Sequence, residues 1–364
     1  MASTKETLTR GRSVSLPSPS GFLSELRSTP QTCRARRDAS LGDTCINLPV
    51  LIEEVSNSSP SSSETVLYLG YGSNLSAETF RGKRGIRPIS QVNVVVPQLH
   101  MTFNLPGIPY SEPCFGNTEY RALPTTTPYQ KLVSAAADDH PDYRKDHWAK
   151  GLVGVVYEVT KADYAHIIAT EGGGASYQDV VVDCYVLSNN PRDKVPSNPT
   201  ASGDPPFKAH TLLAPAQLPN RQHSYAQPSA RYLKLITDGA AEHALPYEYQ
   251  AYLDQIRPFR ITTTKQRFGQ FLFLMTWIPL FLCFFFGIAK IFLKPDGTYP
   301  EWFAKLQKSI FSTCWASYDS VFKPIFGDGE RTIGDMMGDE EDEKALLVRQ
   351  SIDQYGSGGR LYTV

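Results

Sequence analysis

A glycine-containing loop near residue 70 has the composition of an anion-binding turn. Residues 66–69 predict a strand, residues 70–75 read Gly-Tyr-Gly-Ser-Asn-Leu, and residues 76–80 predict a helix. A strand, a glycine loop and a helix N-terminus in this order direct backbone N–H groups towards a bound anion. Glycine at position 72 lets a ligand approach the backbone closely. Ordinary turns show the same pattern, so the loop alone leaves its role open.

One glutamate, Glu171, occupies a second position suited to chemistry. Residues 151–159 predict a strand, residues 161–170 predict a helix with one apolar face, and residues 177–186 predict the next strand. Glu171 therefore stands at a helix C-terminus, before three glycines. The negative end of the helix dipole and local burial both disfavour a charged carboxylate. This suits proton transfer near neutral pH; the alternative is a solvated glutamate at a helix end.

A third block completes a recognisable set of motifs. Residues 228–236 read Pro-Ser-Ala-Arg-Tyr-Leu-Lys-Leu-Ile, and a Gly-Ala pair at 239–240 and Leu-Pro-Tyr-Glu-Tyr-Gln at 245–250 follow. Together with the loop at 71–75, the Glu-Gly pair at 171–172 and Tyr177, this block resembles the γ-glutamylcyclotransferase family. The motifs occur in the family's order and cover about residues 66–256.

The resemblance implies an α+β fold, in which a small closed β-barrel carries helices on its outside. It also implies a reaction that splits a γ-glutamyl amide into 5-oxoproline and a free amino compound, with no metal or redox cofactor. Glu171 would be the general acid and base. The substrate-binding residues would be those of the loop and two pocket tyrosines: Tyr71, Gly72, Ser73, Asn74, Leu75, Tyr177 and Tyr232.

The resemblance leaves the substrate open among γ-glutamyl amino acids, glutathione and glutathione conjugates. Some family members trim glutathione-derived adducts during the synthesis of sulfur-containing fungal metabolites. Thr211 stands where some members carry a tyrosine, and polar insertions are predicted over residues 105–148 and 189–207. A binding or scaffold protein that keeps the fold without turnover is the alternative from another functional class.

The composition argues against several other classes. The 36 Lys and Arg residues nearly balance the 37 Asp and Glu residues, so no charge excess points to nucleic acid. The six cysteines form no C-x-x-C pair, which argues against a zinc site and against a secreted disulfide framework. A reducing compartment fits best. The resemblance implies a small-molecule γ-glutamyl partner, and the oligomeric state stays open.

Residues 1–64 predict a disordered Ser/Pro-rich region ahead of a catalytic domain at 65–260. The first 30 residues mix charged residues with Ser, Thr and Pro and lack the apolar core of a secretory signal. The sequence Arg-Ala-Arg-Arg at 34–37 is either a targeting or protease signal or a solvated basic cluster.

A long apolar run predicts a single transmembrane helix at 268–293. No residue from 268 to 289 is charged, and basic residues flank both ends. A membrane span needs about 20 mostly apolar residues; the alternative is a buried helix of a soluble domain. Basic residues are slightly more frequent before the run than after it, which favours a cytosolic catalytic domain. A glycosylation sequon at 74–76 favours the same side, because a lumenal domain would risk a glycan inside the loop.

The remaining tail, residues 294–364, contains a second helical pattern and an acidic stretch. Apolar residues recur at helical spacing at Trp302, Phe303, Leu306, Ile310 and Phe311. This predicts either an amphipathic helix on a membrane, or a plain surface helix or part of a small lumenal cluster. Residues 339–343 are acidic, and residues 342–347 resemble a dileucine sorting signal.

Overall fold

The computed structural model describes residues 29–57, 64–121, 148–170, 177–202, 205–214, 226–284, 292 and 300–334. Its strands are β1 Thr65–Gly70, β2 Ser90–Val96, β3 Leu99–Ile108, β4 Glu112–Tyr120, β5 Leu152–Thr160, β6 Gln178–Val186 and β7 Phe207–Leu213. Its α-helices are α1 Arg34–Ala39, α2 Leu48–Asn57, α3 Lys161–Thr170, α4 Ala230–Glu242, α5 Tyr247–Gln255, α6 Thr264–Leu282, α7 Glu301–Ser317 and α8 Lys323–Phe326. Short 3-10 or π turns cover Ser40–Gly42, Ser73–Leu75, Glu78–Lys83, Pro199–Ser202 and Tyr318–Phe322.

Five strands close into a barrel in the order β1-β5-β2-β6-β7. Neighbouring strands are antiparallel except at the closure, where Tyr68 of β1 pairs in parallel with His210 of β7. Most of β5 is buried on both faces, because the barrel interior covers one face and helices cover the other. Such a strand reads as a continuous apolar run. The predicted closed β-barrel with external helices is confirmed.

The element that precedes Glu171 also forms as predicted. Helix α3 spans Lys161–Thr170, and Tyr164, Ile167 and Ile168 on its apolar face are all buried against the barrel. The predicted helix at 76–80 is replaced by the 3-10 turn Ser73–Leu75 and the π-helical turn Glu78–Lys83.

Strands β3 and β4 form a separate two-stranded hairpin beside the barrel. The polar insertion predicted over 105–148 therefore begins inside β3 and includes all of β4, while residues 122–147 lie outside the described residues. The hairpin is formed by backbone pairing between its two strands. The insertion predicted over 189–207 contains the 3-10 turn Pro199–Ser202.

Part of the region predicted to be disordered packs on the barrel. Arg36 of α1 pairs with Glu158 of β5 at 3.2 Å, and Leu51 of α2 is buried in the main core. The backbone N–H of Ile46 donates to the Asp179 carboxylate of β6 at 2.6 Å. These contacts offset the cost of ordering a polar segment. Residues 1–28 and 58–63 lie outside the described residues.

The C-terminal helices form a second apolar cluster. Phe273 and Trp277 of α6 are buried against Cys314 and Trp315 of α7. In the described part of the chain, no helix combines the length and apolarity needed to cross a membrane. The transmembrane helix predicted at 268–293 is therefore not supported: α6 ends at Leu282 and uses one face for packing within the protein. Residues 285–291 and 293–299 lie outside the described residues.

Helix α7 forms where the tail predicts a helix. Phe303 on its packed face is buried, whereas Trp302 and Leu306 are exposed. The acidic stretch and the dileucine-like sequence fall within residues 335–364, outside the described residues.

Candidate active site

The glycine loop leaves β1 at the end of the barrel and closes a tight turn. The N–H of Leu75 donates to the carbonyl of Gly72 at 3.0 Å, and the N–H of Ser76 donates to that of Ser73 at 3.1 Å. The first N–H groups of such a turn have no partner inside it. Among the described residues, the N–H groups of Gly72 and Ser73 make no hydrogen bond. The loop thus offers two backbone donors to a ligand.

Asn74 fixes the loop from two sides. Its side-chain amide donates to the Tyr68 hydroxyl at 2.7 Å, and its backbone carbonyl accepts from the Tyr157 hydroxyl at 3.2 Å. The Tyr157 hydroxyl also lies 2.8 Å from Nε2 of His243. Burial lowers the pKa of His243 to about 3, so this ring stays neutral behind the loop at physiological pH.

Helix α4 presses directly on the same loop through Gly239. A Cβ atom on this glycine would lie 2.5 Å from the carbonyl carbon of Leu75 and 2.6 Å from the Ser76 nitrogen. Only a glycine allows this approach, because the atoms it would meet belong to the backbone. The loop is therefore held in place by the helix that also carries Tyr232.

The loop, two tyrosines and the hairpin surround one pocket of about 410 Å³, a volume that includes its solvent-open mouth. The pocket is lined by Tyr68, Tyr71, Gly72, Ser73, Asn74, Gly116, Tyr177, Thr211, Leu212 and Tyr232. None of these lining residues carries a charge, so hydroxyl, amide and backbone groups supply the polarity.

Six of the eight predicted site residues meet at this pocket, namely Tyr71, Gly72, Ser73, Asn74, Tyr177 and Tyr232. Leu75 does not line it; its side chain is fully buried in the main core beneath the loop. Glu171 lies outside the described residues.

Tyr232 forms the wall opposite the glycine loop. Its backbone N–H donates to the capping Ser229 side chain at 3.0 Å, and its hydroxyl accepts from the N–H of Gly116 at 2.9 Å. A Cβ atom on Gly72 would lie 3.3 Å from this hydroxyl. The gap between the loop and α4 is therefore narrow, and a side chain at position 72 would enter it.

The two elements that flank Glu171 are joined to each other. Helix α3 ends at Thr170, and Tyr177 lines the pocket just before β6. The Tyr164 hydroxyl of α3 donates to the Asp179 carboxylate of β6, which also lies 3.0 Å from Nδ1 of His210. Helix α3 is thus joined to the strand that follows Tyr177, which itself lines the pocket.

Four pocket residues do not appear among the predicted site residues. Tyr68 carries a hydroxyl group within a predicted apolar strand, and this polar group could have indicated that the residue lines a site. Thr211 and Leu212 reach the pocket through the closure of β7 on β1, which no local pattern encodes. Gly116 lies in the segment predicted to be an insertion and reaches the pocket only because β4 docks beside α4.

Comparisons with known proteins agree with this geometry. Residues 263–325 match a family model described as the AclK C-terminal domain. The chain is 28% identical over 269 residues to γ-glutamyl cyclotransferase gliK of Aspergillus fumigatus, covering 73% of this chain and 89% of the relative. It is 29% identical over 277 residues to γ-glutamyl cyclotransferase aclK of Aspergillus oryzae, covering 74% and 92%.

A third relative is γ-glutamyl cyclotransferase gliK of Claviceps purpurea. The chain is 30% identical to it over 262 residues, which cover 70% of this chain and 99% of the relative. The matched length exceeds that of the barrel, and the AclK C-terminal domain model separately covers residues 263–325. With almost all of that relative covered, the chain belongs to the γ-glutamyl cyclotransferase family.

Proposed function

We propose that this protein converts a γ-glutamyl amide into 5-oxoproline and a free amino compound. The observation that supports this most directly is the meeting of six predicted site residues, from three separate parts of the chain, at one uncharged pocket. Membership of the γ-glutamyl cyclotransferase family supports the same reaction.

The reaction removes two protons from the substrate's α-nitrogen. Glu171 takes the first from the α-ammonium group, the freed amine attacks the γ-carbonyl carbon, and Glu171 gives this proton to the leaving nitrogen as its bond to that carbon breaks. The ring nitrogen loses its second proton to the Glu171 carboxylate regenerated in this way, which passes it to the released amine or to solvent. Because both reacting groups belong to one molecule, positioning supplies much of the rate; effective molarities of well-oriented reactions reach about 10⁵ M or more.

The pocket supplies the positioning. The N–H groups of Gly72 and Ser73 donate to negatively charged oxygen atoms of the glutamyl group, including the oxygen that develops charge during ring closure. The rigid support of Asn74 keeps these donors in place without reorganisation. The leaving group extends through the solvent-open mouth, and this admits a γ-glutamyl amino acid, glutathione or a glutathione conjugate.

Release of 5-oxoproline from a substrate panel tests the function. The panel contains γ-glutamyl amino acids, glutathione and an S-conjugate of glutathione, with an α-glutamyl dipeptide as the matched control. We expect release from at least one γ-glutamyl compound and none from the control. Binding of 5-oxoproline without release from any substrate would instead favour the scaffold alternative.

We propose further that the C-terminal helices attach the protein to an anionic lipid surface. Helix α6 presents large exposed side chains on the face opposite its packed side; Phe271 is 58% exposed and Met275 is 61% exposed. Phe268 and Leu282 continue this apolar face along the helix. Contiguous exposed apolar patches of this kind mark interaction sites.

The charge of the segment favours lipid as the occupant. Residues 263–325 contain seven Lys and Arg residues and three Asp and Glu residues, a net charge of +4 in a chain whose net charge is −1. An apolar face with basic residues beside it binds the headgroup region of anionic membranes. The cytoplasmic leaflet carries this negative surface charge, so attachment there places the catalytic domain in the cytosol.

Flotation with vesicles tests the attachment. We expect the full chain to float with phosphatidylserine-containing vesicles and much less with phosphatidylcholine alone. Phe271→Glu with Met275→Glu should lower the bound fraction about tenfold or more, because each buried apolar side chain contributes about 1.5–3 kcal/mol. Ser312→Glu, at an exposed polar position of α7, is the control. Unchanged flotation of the double variant would overturn the proposal.

A further inference from the structure

The turn between β3 and β4 contains a strained and buried tyrosine. Tyr110 has a φ of 63°, in the left-handed region, and its side chain is only 1% exposed. A bulky residue with positive φ is uncommon and costs free energy. Such a conformation persists only where the surroundings fix it, so the contacts of Tyr110 show what holds the hairpin.

Residues of the C-terminal segment, which here means the described residues from 263 onwards, form hydrogen bonds with the N–H, the carbonyl and the hydroxyl of Tyr110. Its N–H donates to the carbonyl of Gly329 and its hydroxyl to the carbonyl of Gly327, both at 2.7 Å. Its own carbonyl accepts from the Gln270 side chain of α6 at 2.7 Å. Burial raises the pKa of the Tyr110 hydroxyl, which therefore remains a donor at physiological pH.

The ring of Tyr110 is enclosed by the same segment. Its centroid lies 5.9 Å from that of Phe273 and 5.6 Å from that of Tyr318, the latter in an edge-on arrangement. A Cβ atom on Gly329 would lie 2.8 Å from two atoms of the ring. The barrel-side hairpin thus inserts a side chain into the C-terminal apolar cluster.

From Tyr110 the hairpin leads directly to the pocket. Two residues further on, Glu112 accepts hydrogen bonds from Ser229, the cap of α4, and from Arg231. Gly116 in the middle of β4 donates to the Tyr232 hydroxyl at 2.9 Å. Strand β4 therefore holds the start of α4 at two points, and both Gly116 and Tyr232 line the pocket.

A second connection reaches α4 without passing through the hairpin. Gln227, just before the helix, donates its N–H to the carbonyl of Glu330 at 2.9 Å and accepts from the N–H of Thr332 at 2.7 Å. Residues 327–332 consequently join the hairpin turn to the segment that begins α4.

We infer that the C-terminal segment braces one wall of the substrate pocket, with Tyr110 and Gln270 as positioning residues that hold β4 and Tyr232 in register. The effect on turnover rests on the proposed function, whereas the effect on the hairpin does not. The brace also gives the region matched by the AclK C-terminal domain model a role in the reaction of the barrel.

Gln270→Glu tests the brace with almost no change of shape. The carboxylate replaces the donor opposite the Tyr110 carbonyl, so an attractive contact becomes a repulsive one. We expect faster amide hydrogen exchange across β4 and a KM for the γ-glutamyl substrate raised about tenfold, as for a lost buried hydrogen bond. KM is the informative parameter, because partial unfolding lowers the amount of active enzyme but leaves KM unchanged.

Gln307→Glu on α7 is the matched control, since it makes the same charge change without a hydrogen bond to the hairpin in the described chain. Tyr110→Phe, which keeps the ring and loses one hydrogen bond, is the second variant should Gln270→Glu not fold, and it should give a smaller change in the same direction. Unchanged exchange across β4 and unchanged KM would overturn the inference. A wild-type protein without turnover would contradict the proposed function, and the exchange measurement would still decide the brace.

Discussion

Glu171→Gln is expected to lower the turnover number about 10²- to 10⁴-fold, the usual contribution of a general acid and base. Glutamine keeps the size of the side chain and most of its hydrogen bonds, but it cannot carry the proton between the α-amine and the leaving group. Binding of 5-oxoproline should persist, because the loop supplies the donors that hold the glutamyl group. Steady-state release of 5-oxoproline and calorimetric binding measure the two effects separately.

Glu54→Gln is the matched control for this variant. Glu54 is exposed on α2 and does not line the pocket, so its replacement should leave turnover unchanged. A Glu171→Gln protein that turns over at the wild-type rate would remove the acid and base role from this residue. A variant that loses both binding and turnover would instead assign Glu171 to substrate binding.

Local signals predict individual strands, one helix and the glycine loop, whereas the closed barrel follows from the resemblance to the family. The apolar runs of β1, β5 and β6, the helix α3 and the glycine loop each show in a short stretch of residues. Tyr177 and Tyr232 follow from the resemblance rather than from any local pattern. The family motifs thus supplied the part of the pocket for which spacing and periodicity carry no signal.

Contacts between distant segments escaped prediction for a physical reason. Gly116 reaches the pocket only through the hydrogen bond of β4 to Tyr232, and Tyr110 is held by residues more than 150 positions away. Neither contact leaves a periodic pattern in the sequence. The predicted domain end at residue 260 consequently separates the barrel from a segment that packs on its hairpin.

The apolar run of α6 shows how composition alone misleads. Residues 268–282 of this helix lack charged residues, as a membrane span does, but Phe273 and Trp277 are buried against protein while Phe271 and Met275 are exposed. One face packs within the protein, and the other is largely exposed in the described chain. The run is therefore apolar for two reasons: one face packs within the protein, and the other is exposed. Only the packing of the helix shows which residues belong to which face.

Gly72→Val is expected to weaken 5-oxoproline binding about 10²-fold, with chemistry affected only as a consequence. The added Cβ atom would lie 3.3 Å from the Tyr232 hydroxyl, and the two further methyl groups would fill the narrow space between the loop and α4. Overfilling a packed site typically costs about 1–3 kcal/mol, which corresponds to about 5- to 150-fold in affinity. Calorimetric titration measures the change.

Two further variants separate a blocked pocket from a damaged fold. Gly42→Val is the control, because nothing lies within 4 Å of a Cβ atom at that position, and its binding should equal that of the wild type. Gly72→Ala adds the Cβ atom alone, 3.3 Å from the Tyr232 hydroxyl, and should weaken binding less than Gly72→Val does. Full binding by Gly72→Val would show that the glutamyl group lies elsewhere, because the geometry leaves no room for a valine side chain and a ligand between the loop and Tyr232.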